Sequence, residues 1–454
     1  MAIVLDGSIP DSDPHALPGQ AGHGRLASRR KHNSCGSATL ADRHFVAADA
    51  TNGAVLSAPV ARTESAAPPQ GDTSDIAAAA EFNPRPVMDS FKRLISVGPA
   101  AMEYFYARLF TLSPRTRALF PTSMSAQRDR VFAALARLIW SLDDPPRRGA
   151  LLDRLGREHR RFGVTEAHYA AFVTTLRDTA EHFIGSDWTP ETAAAWQGTL
   201  DYVAEAMKAA AADDARTSPA WWVAEIVSHE LRSPGVAVLR LRPSQPLPYE
   251  AGQYVPVQVT KWPRVWRPYS IATAPRPGGL IELHVKAVPG GMVSTTLVYD
   301  SAEGDCVLLG PADGGMTLAE SDRDLLCVAG GTGLAPIKAI IEQAIAQPAG
   351  RGRKMTLFFG AKQHFDLYDL EDLQLLESAC SSLRVIPVLS EEPGYAGLTG
   401  MLPEAVGSFG LFQNADAYVC GPTAMVTQAA AVLAASIPDA QLHHDPLTYS
   451  LLPR

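Results

Sequence analysis

The sequence predicts a multidomain chain in which an all-α domain is followed by an antiparallel β-barrel and then by an α/β domain built on a parallel sheet. Three observations carry that prediction. The 454 residues exceed what one compact core organises, and ordinary domain sizes suggest about three units. Hydrophobic residues make up 46% and charged residues 19%, close to globular usage, so each unit can bury a core. The apolar period also changes twice along the chain, from helical spacing to alternation and then to apolar strands interleaved with helical stretches.

Residues 1–83 are rich in Ala, Ser, Gly, Pro and Asp without a sustained period, which predicts a disordered tail. Its basic patch RLASRRKHNS could touch a membrane or an acidic partner but reads first as a solvated segment, and Met88 offers an alternative coding start. From residue 84 to 212 apolar residues recur at helical spacing and β-branched runs are scarce. In DWTPET, Thr189 suits an N-cap, Pro190 the first helical position and Glu191 the positive end of the dipole, so a helix starts there and runs through Trp196 and Met207. DDARTSP, residues 213–219, breaks the pattern as a linker does. Between 220 and 319 the runs WWVAEIVSHE, VAVLRLRPS, QYVPVQVT, RPYSIAT and IELHVKAV alternate between Gly and Pro turns, which predicts barrel strands. From 320 to 454, DLLCVAG, KMTLFFGA, LRVIPVLS and DAYVCG alternate with helical stretches such as APIKAIIEQAIAQ, the pattern of a parallel sheet with helices on its faces.

The formal net charge of −8 argues against a nucleic-acid partner, which needs a concentrated basic surface. The five cysteines form no C-x-x-C pair, against zinc, an iron–sulfur cluster or a disulfide framework. No run approaches the roughly 18 apolar residues of a membrane span, and the N-terminus lacks a secretion signal, so a cytoplasmic protein is expected. A monomer is compatible with the sequence.

The chemistry-bearing motifs of the C-terminal half begin with CVAGGTGLAP. A buried strand runs into Gly330, Gly331, Thr332 and Gly333 and then into a helix with Pro336 in its first turn, so bare backbone can approach a pyrophosphate at a helix N-terminus. The spacing is not G-x-G-x-x-G, and alone it is also an ordinary turn. A second turn, Cys420, Gly421 and Pro422, follows the last strand at the carboxyl edge of the sheet. In RPYS, Arg267 can pair with phosphate, the Tyr269 ring can stack on a flat heterocycle, and Ser270 can hydrogen-bond a ring nitrogen. Gly290, Gly291, Met292, Val293 and Ser294 form a further glycine-to-helix segment.

These motifs, in this order, resemble the ferredoxin-reductase-like flavoproteins, over residue 221 to the C-terminus. The resemblance implies FAD held by Arg267, Tyr269, Ser270 and residues 290–294. It implies a nicotinamide nucleotide at residues 330–336 and 420–422, with hydride passing from nicotinamide to flavin. Iron–sulfur domains in some members need C-x4-C-x2-C, which is absent here, so the acceptor is another protein or the helical domain.

The helical domain bears on that choice. Leu152, Leu155 and His159 share one helix face, which turns His159 into the core. A lone core histidine is also found simply hydrogen-bonded. Here F-Y-x-R-L-F, a Leu-Phe-Pro corner, Q-R, L-G-x-x-H and G-V-x-x-x-H-Y together resemble the globin domain of flavohaemoglobins over residues 84–212. The resemblance implies a b-type haem with His159 as the proximal iron ligand and Phe120 against the porphyrin. Tyr106 and Gln127 fall on the distal side and Tyr169 beside the histidine. Together the two halves imply an NAD(P)H-dependent flavohaem oxidoreductase, NADH being favoured, that binds dioxygen and converts nitric oxide to nitrate.

Two departures stand out. The family's carboxylate on the last globin helix has no counterpart near Ala211, and only Asp213 or Asp214 could fold inward to replace it. Where the family often ends H-Y-E-x-F, this chain reads LHHDPL, with His444 and Asp445 in the Tyr and Glu places and Leu447 in that of the aromatic. Lys362 is placed where it could meet a 2′-phosphate. A reductase for another acceptor, or a haem-based oxygen sensor, are the alternatives.

Overall fold

The computed structural model describes residues 83–121, 124–347, 353–410, 412 and 414–444. Residues 1–82, Asp445 and Leu447 lie outside them, and with them the expectations for the tail and the C-terminal aromatic.

The helical part comprises α1 (Arg85–Val97), α2 (Pro99–Leu112), a 3-10 turn (Pro114–Leu119), α3 (Ser125–Ile139), α4 (Pro145–Arg160), α5 (Glu166–Ile184) and α6 (Pro190–Ala215). Asp144 caps α4 by accepting a hydrogen bond from the Arg147 amide, and Thr189 caps α6 through the Thr192 amide at 3.2 Å. The last helix runs to Ala215, into the segment read as a linker. Arg160 explains the extension: at the end of α4 it pairs with Asp214 and donates to the Ser218 carbonyl at 2.7 Å, satisfying a carboxylate that would otherwise sit unfavourably at a helix C-terminus. Tight packing of α4 on α6 depends on Gly156. A Cβ there would lie 2.4 Å from the Met207 carbonyl oxygen.

Six strands follow: β1 (Trp222–Ser233), β2 (Val236–Pro243), β3 (Tyr254–Val259), β4 (Arg267–Ser270), β5 (Ile281–Lys286) and, after the short helix α7 (Met292–Thr295), β6 (Cys306–Leu309). They form one sheet in the order β4-β3-β6-β1-β2-β5, its strands paired antiparallel. A bridge from Ile271, just beyond β4, to Leu283 on β5 joins the two edges and closes the barrel.

The last part alternates β7 (Asp324–Gly330), α8 (Leu334–Ala346), β8 (Met355–Ala361), α9 (Leu370–Ala379), β9 (Leu383–Leu389), β10 (Leu398–Thr399), α10 (Leu402–Phe409), β11 (Ala415–Cys420), α11 (Thr423–Leu433) and β12 (Leu442–His443). Its parallel sheet has the order β10-β9-β8-β7-β11-β12. The chain winds outward from β7 and returns on its other side at β11. That reversal opens a crevice at the carboxyl ends of β7 and β11. Among the described residues no helix is long and apolar enough to cross a membrane.

Each neighbour is docked by named contacts. Glu342 and Gln343 of α8 accept hydrogen bonds from the Ala274 and Ala251 amides of the barrel, at 3.0 and 3.2 Å. Arg154 of α4 reaches the Tyr254 hydroxyl at 3.1 Å and Asp313 at 3.0 Å.

Candidate functional site

Among the buried polar atoms of the helical part that lack hydrogen-bond partners are His159 Nε2, the Tyr106 and Tyr169 hydroxyls, and Gln127 Nε2. Native interiors leave few such groups unsatisfied, and each costs on the order of 1–3 kcal/mol. His159 is 1% exposed on α4, and its Nδ1 lies 2.5 Å from the Leu155 carbonyl oxygen. A carbonyl only accepts, so Nδ1 carries the proton and Nε2 keeps its lone pair. Burial, opposed by that bond, pushes the imidazole pKa down to about 3, and the ring is neutral at pH 7. Tyr169, from α5, lies with its ring 6.5 Å from that of His159. Its hydroxyl pKa is raised by burial to about 12. Tyr106 on α2 meets Phe120 edge to face at 5.4 Å, and burial, opposed by the neighbouring Gln127 side chain, raises its hydroxyl pKa, so it is a proton donor throughout the ordinary pH range. This donor set fits a haem: one neutral imidazole with a lone pair to give, apolar walls, and O–H and N–H groups awaiting a polar ligand.

No carboxylate hydrogen-bonds His159 or Tyr169 among the described residues. Asp214 is taken by Arg160, Asp213 by Arg216 at the surface, and Glu205 by Lys208 at 2.5 Å. The expected gap near Ala211 is therefore not filled by either aspartate. The histidine N–H is oriented by backbone instead.

In the barrel, Arg267, Tyr269 and Ser270 lie half-buried on β4. Strand alternation divides the residues of β4 between two faces. Arg267 and Tyr269 are in register with Val257 and Val255 of β3, whereas Pro268 opposite Pro256 turns toward the helices. Gly290 has φ 74° with open space beside it, and the Ser294 hydroxyl accepts from the Val288 amide at 3.2 Å. Val293 packs its side chain in the barrel core, which leaves only its backbone to meet a ligand. Met292 is exposed at the start of α7.

At the crevice the two glycine turns touch backbone to backbone. A Cβ on Gly333 would lie 2.4 Å from the Cys420 carbonyl oxygen and 2.6 Å from Gly421 Cα; one on Gly421 would lie 3.1 Å from Gly330 Cα. Gly331, φ 54°, faces open space. Gly330, Gly331, Thr332, Gly333, Cys420, Gly421 and Pro422 thus form one wall at the switch point, with Pro336 buried in the first turn of α8. Replacing Gly333 by alanine should force the turns apart at a cost of about 1–3 kcal/mol. The expected outcome is an NADH KM about tenfold higher with flavin content unchanged, read by steady-state kinetics against flavin absorbance.

Between helical part and barrel, a cavity of about 240 Å³ separates α4 from the outer face of β3 and β4, lined among others by Arg157, Glu158, Tyr254, Trp266, Pro268 and Asp313. Two features of the domain junctions escaped the sequence reading. Trp266 of the barrel is buried in the helical core, and a charged network joins barrel to parallel sheet: Lys338 bonds Glu282 at 3.0 Å and Asp369 at 2.8 Å, while His284 bonds Glu282 and Tyr368. Lys338 stands alone as a charge in the opening turns of an apolar helix, a signal that could have been followed.

Fold and site define a three-part oxidoreductase: a helical domain fit for haem, a flavin-type barrel and a nucleotide-binding sheet. Family profiles match accordingly: the globin profile over residues 103–207, the oxidoreductase FAD-binding domain over 223–314, and the oxidoreductase NAD-binding domain over 327–431. The chain is 30% identical over 275 residues to a flavohemoprotein of Bordetella pertussis, spanning 56% of this chain and 68% of that protein. It is 37% identical over 198 residues to XylA, the electron transfer component of xylene/toluene monooxygenase in Pseudomonas putida, spanning 43% of this chain and 56% of that protein. A flavohemoglobin structure from Malassezia yamatoensis shares the fold, with TM-score 0.62 and 19% identity over 79% of this chain and 97% of the other.

The chain belongs to the flavohaemoprotein family, a globin domain joined to FAD-binding and NAD-binding oxidoreductase domains. Haem, FAD and a nicotinamide nucleotide are the cofactors of that arrangement.

Proposed function

We propose that this protein is a nitric oxide dioxygenase that takes electrons from NAD(P)H through FAD to haem, and that His159 is the iron ligand. The observation that carries the reading is the pair of orphaned atoms in one core, the His159 Nε2 lone pair and the Tyr106 hydroxyl, in a chain that also carries its own reductase. Bound haem supplies a redox-active iron that binds dioxygen when ferrous. Conversion of nitric oxide to nitrate by dioxygen takes up one electron per molecule, since nitrogen gives up three and dioxygen accepts four. A hydride-fed flavin serving a one-electron centre meets that demand.

The residue roles follow from their chemistry. The Leu155 carbonyl orients His159, Phe120 packs against the ring system, and Tyr169 flanks the histidine. Tyr106 and Gln127 offer donors to a distal ligand. Arg267, Tyr269, Ser270 and residues 290–294 hold FAD, and the paired turns at Gly330–Gly333 and Cys420–Pro422 hold the nicotinamide nucleotide. NADH is the favoured donor because Lys362 already pairs with Glu391 at 2.7 Å, and that carboxylate would repel a 2′-phosphate. We also place the protein in the cytoplasm.

Purified holoprotein given anaerobic NADH should show the haem spectrum change from ferric to ferrous and should then consume nitric oxide in the presence of dioxygen. Nitric oxide loss no faster than with free flavin overturns the reading. Tyr106→Phe removes a hydrogen bond worth about 0.5–1.5 kcal/mol, so dioxygen should leave the ferrous protein up to about tenfold faster in flash photolysis. The identity with XylA favours a second reading, a reductase for a separate acceptor. A flavin that NADH reduces beside a haem that stays ferric would establish it.

A further inference from the structure

We propose that Trp266 is a positioning residue that anchors the flavin-bearing strand to the segment carrying His159 and so sets the approach of flavin to haem. The proposal rests on the reading of His159 as haem ligand. Trp266 belongs to the barrel in sequence, immediately before Arg267 of β4, yet it is 2% exposed within the core cluster of the helical part. Among the described residues it is the one buried barrel side chain in that cluster, and Leu308 of β6 packs half-buried against the cluster.

Its neighbours lead directly to the proximal histidine. The indole meets Phe162 edge to face at 6.5 Å and 82°, and the Phe162 amide donates to the His159 carbonyl at 3.1 Å. The Arg161 guanidinium lies 5.1 Å from the Phe162 ring and 5.6 Å from that of Trp266, so one cation touches both aromatics across the domain boundary. Rings and cation clamp Arg161 and Phe162, just after His159, to the residue preceding the FAD strand. On the other side, the Trp266 carbonyl accepts from Arg267 at 2.8 Å. The same residue is thus bonded to the candidate pyrophosphate ligand and packed against the candidate haem segment.

The local backbone is shaped to deliver it. Arg264, two residues earlier, has φ 67° and is the only described non-glycine residue in the left-handed region. Its amide donates to Gln258 Oε1 at 2.5 Å, and the Val265 amide to the Trp262 carbonyl at 3.3 Å, which fixes the turn. A strained conformation of this kind persists where the surroundings over-determine it. Here it swings Trp266 out of its own barrel and into the neighbouring core. A tryptophan serving only barrel packing would need no such turn.

The test uses holoprotein of wild type, Trp266→Leu and Trp266→Phe. Stopped-flow absorbance follows flavin reduction by NADH and haem reduction separately, and time-resolved emission of oxidised FAD reports its quenching by haem without any turnover. Expected for Trp266→Leu is normal haem and flavin content, an unchanged rate of flavin reduction, haem reduction slowed about tenfold or more, and a longer flavin lifetime. Trp266→Phe keeps an aromatic ring against Phe162 and should recover most of both losses. Haem reduction and flavin lifetime at wild-type values in Trp266→Leu overturn the proposal. So does parallel slowing of flavin and haem reduction, which marks general destabilisation, and so does failure of Phe to restore more than Leu retains. A wild-type haem that NADH leaves ferric overturns the functional reading instead, and the flavin lifetimes then decide the role of Trp266.

Discussion

His159→Ala is expected to yield a folded flavoprotein without stoichiometric haem. In the apolar interior of the globin domain His159 is the neutral imidazole with an unused lone pair, and burial keeps it neutral. Its N–H is spent on the Leu155 carbonyl, so Nε2 is the atom left for iron. Loss of the ring removes that atom and also an unsatisfied buried group costing on the order of 1–3 kcal/mol, which offsets the small cavity left behind. The cofactor-free fold should therefore survive, and the loss of haem cannot be put down to unfolding. The ratio of Soret to flavin absorbance, taken after haem supplementation, is the measurement. It should fall nearly to zero while FAD stays bound by the barrel. A ratio equal to wild type removes His159 from the site, and with it the electron route proposed here.

How much of this was legible in the sequence differs by kind of interaction. Helical and strand periods place the three architectures, since each period reflects which face is buried. The L-G-x-x-H segment yields His159 by its spacing, but the reason for its glycine appears only in three dimensions, where Gly156 lets α6 pass within contact distance. The short edge strands β10 and β12, two residues each, carry too few alternations to show a period. β6 was overlooked although CVLL lies between glycines. Of the candidate site residues, the motif glycines were readable because each turn is local, whereas their mutual contact at Gly333 and Cys420 depends on sheet order.

Residues that act between domains were the least legible. Trp266 reads as a barrel residue, because nothing local says which core an indole will enter. In β5 the sequence IELHVK looks half-exposed, yet five of its six residues are buried. The second face is covered by α8 of the nucleotide-binding domain, and a polar side chain under a remote helix looks, in sequence, like one facing water. The absent proximal carboxylate was visible at Ala211. Only the structure shows that Asp214 is held elsewhere by Arg160.

That hidden face gives the second large effect. Lys338→Met is expected to destabilise the junction of barrel and nucleotide-binding domain by about 3–5 kcal/mol, the usual cost of removing one partner from a buried charge cluster. Lys338 is 9% exposed, Glu282 4% and Asp369 not at all. With the ammonium gone, Glu282 keeps Arg240 at 3.0 Å and His284 at 3.1 Å, but Asp369 retains only Arg232 at 3.6 Å. Burial alone would raise the Glu282 pKa; hydrogen bonding to His284 and the charge of Lys338 outweigh it and hold the carboxyl well below its ordinary 4.5. Burial likewise opposes the Lys338 charge, and Asp369 and Glu282 outweigh it, raising that group above 10.5. A depressed carboxyl stabilises the fold above its unfolded pKa and loses that contribution as pH falls through the folded value. A raised ammonium stabilises below its unfolded pKa and loses its contribution as pH rises through the folded one. The difference between wild type and Lys338→Met should therefore be largest between pH 4.5 and 10.5 and shrink outside that window. Urea titrations followed by flavin emission at pH 7 and at pH 4 check this, and equal midpoints at pH 7 would show that the cluster contributes nothing to holding the two domains together.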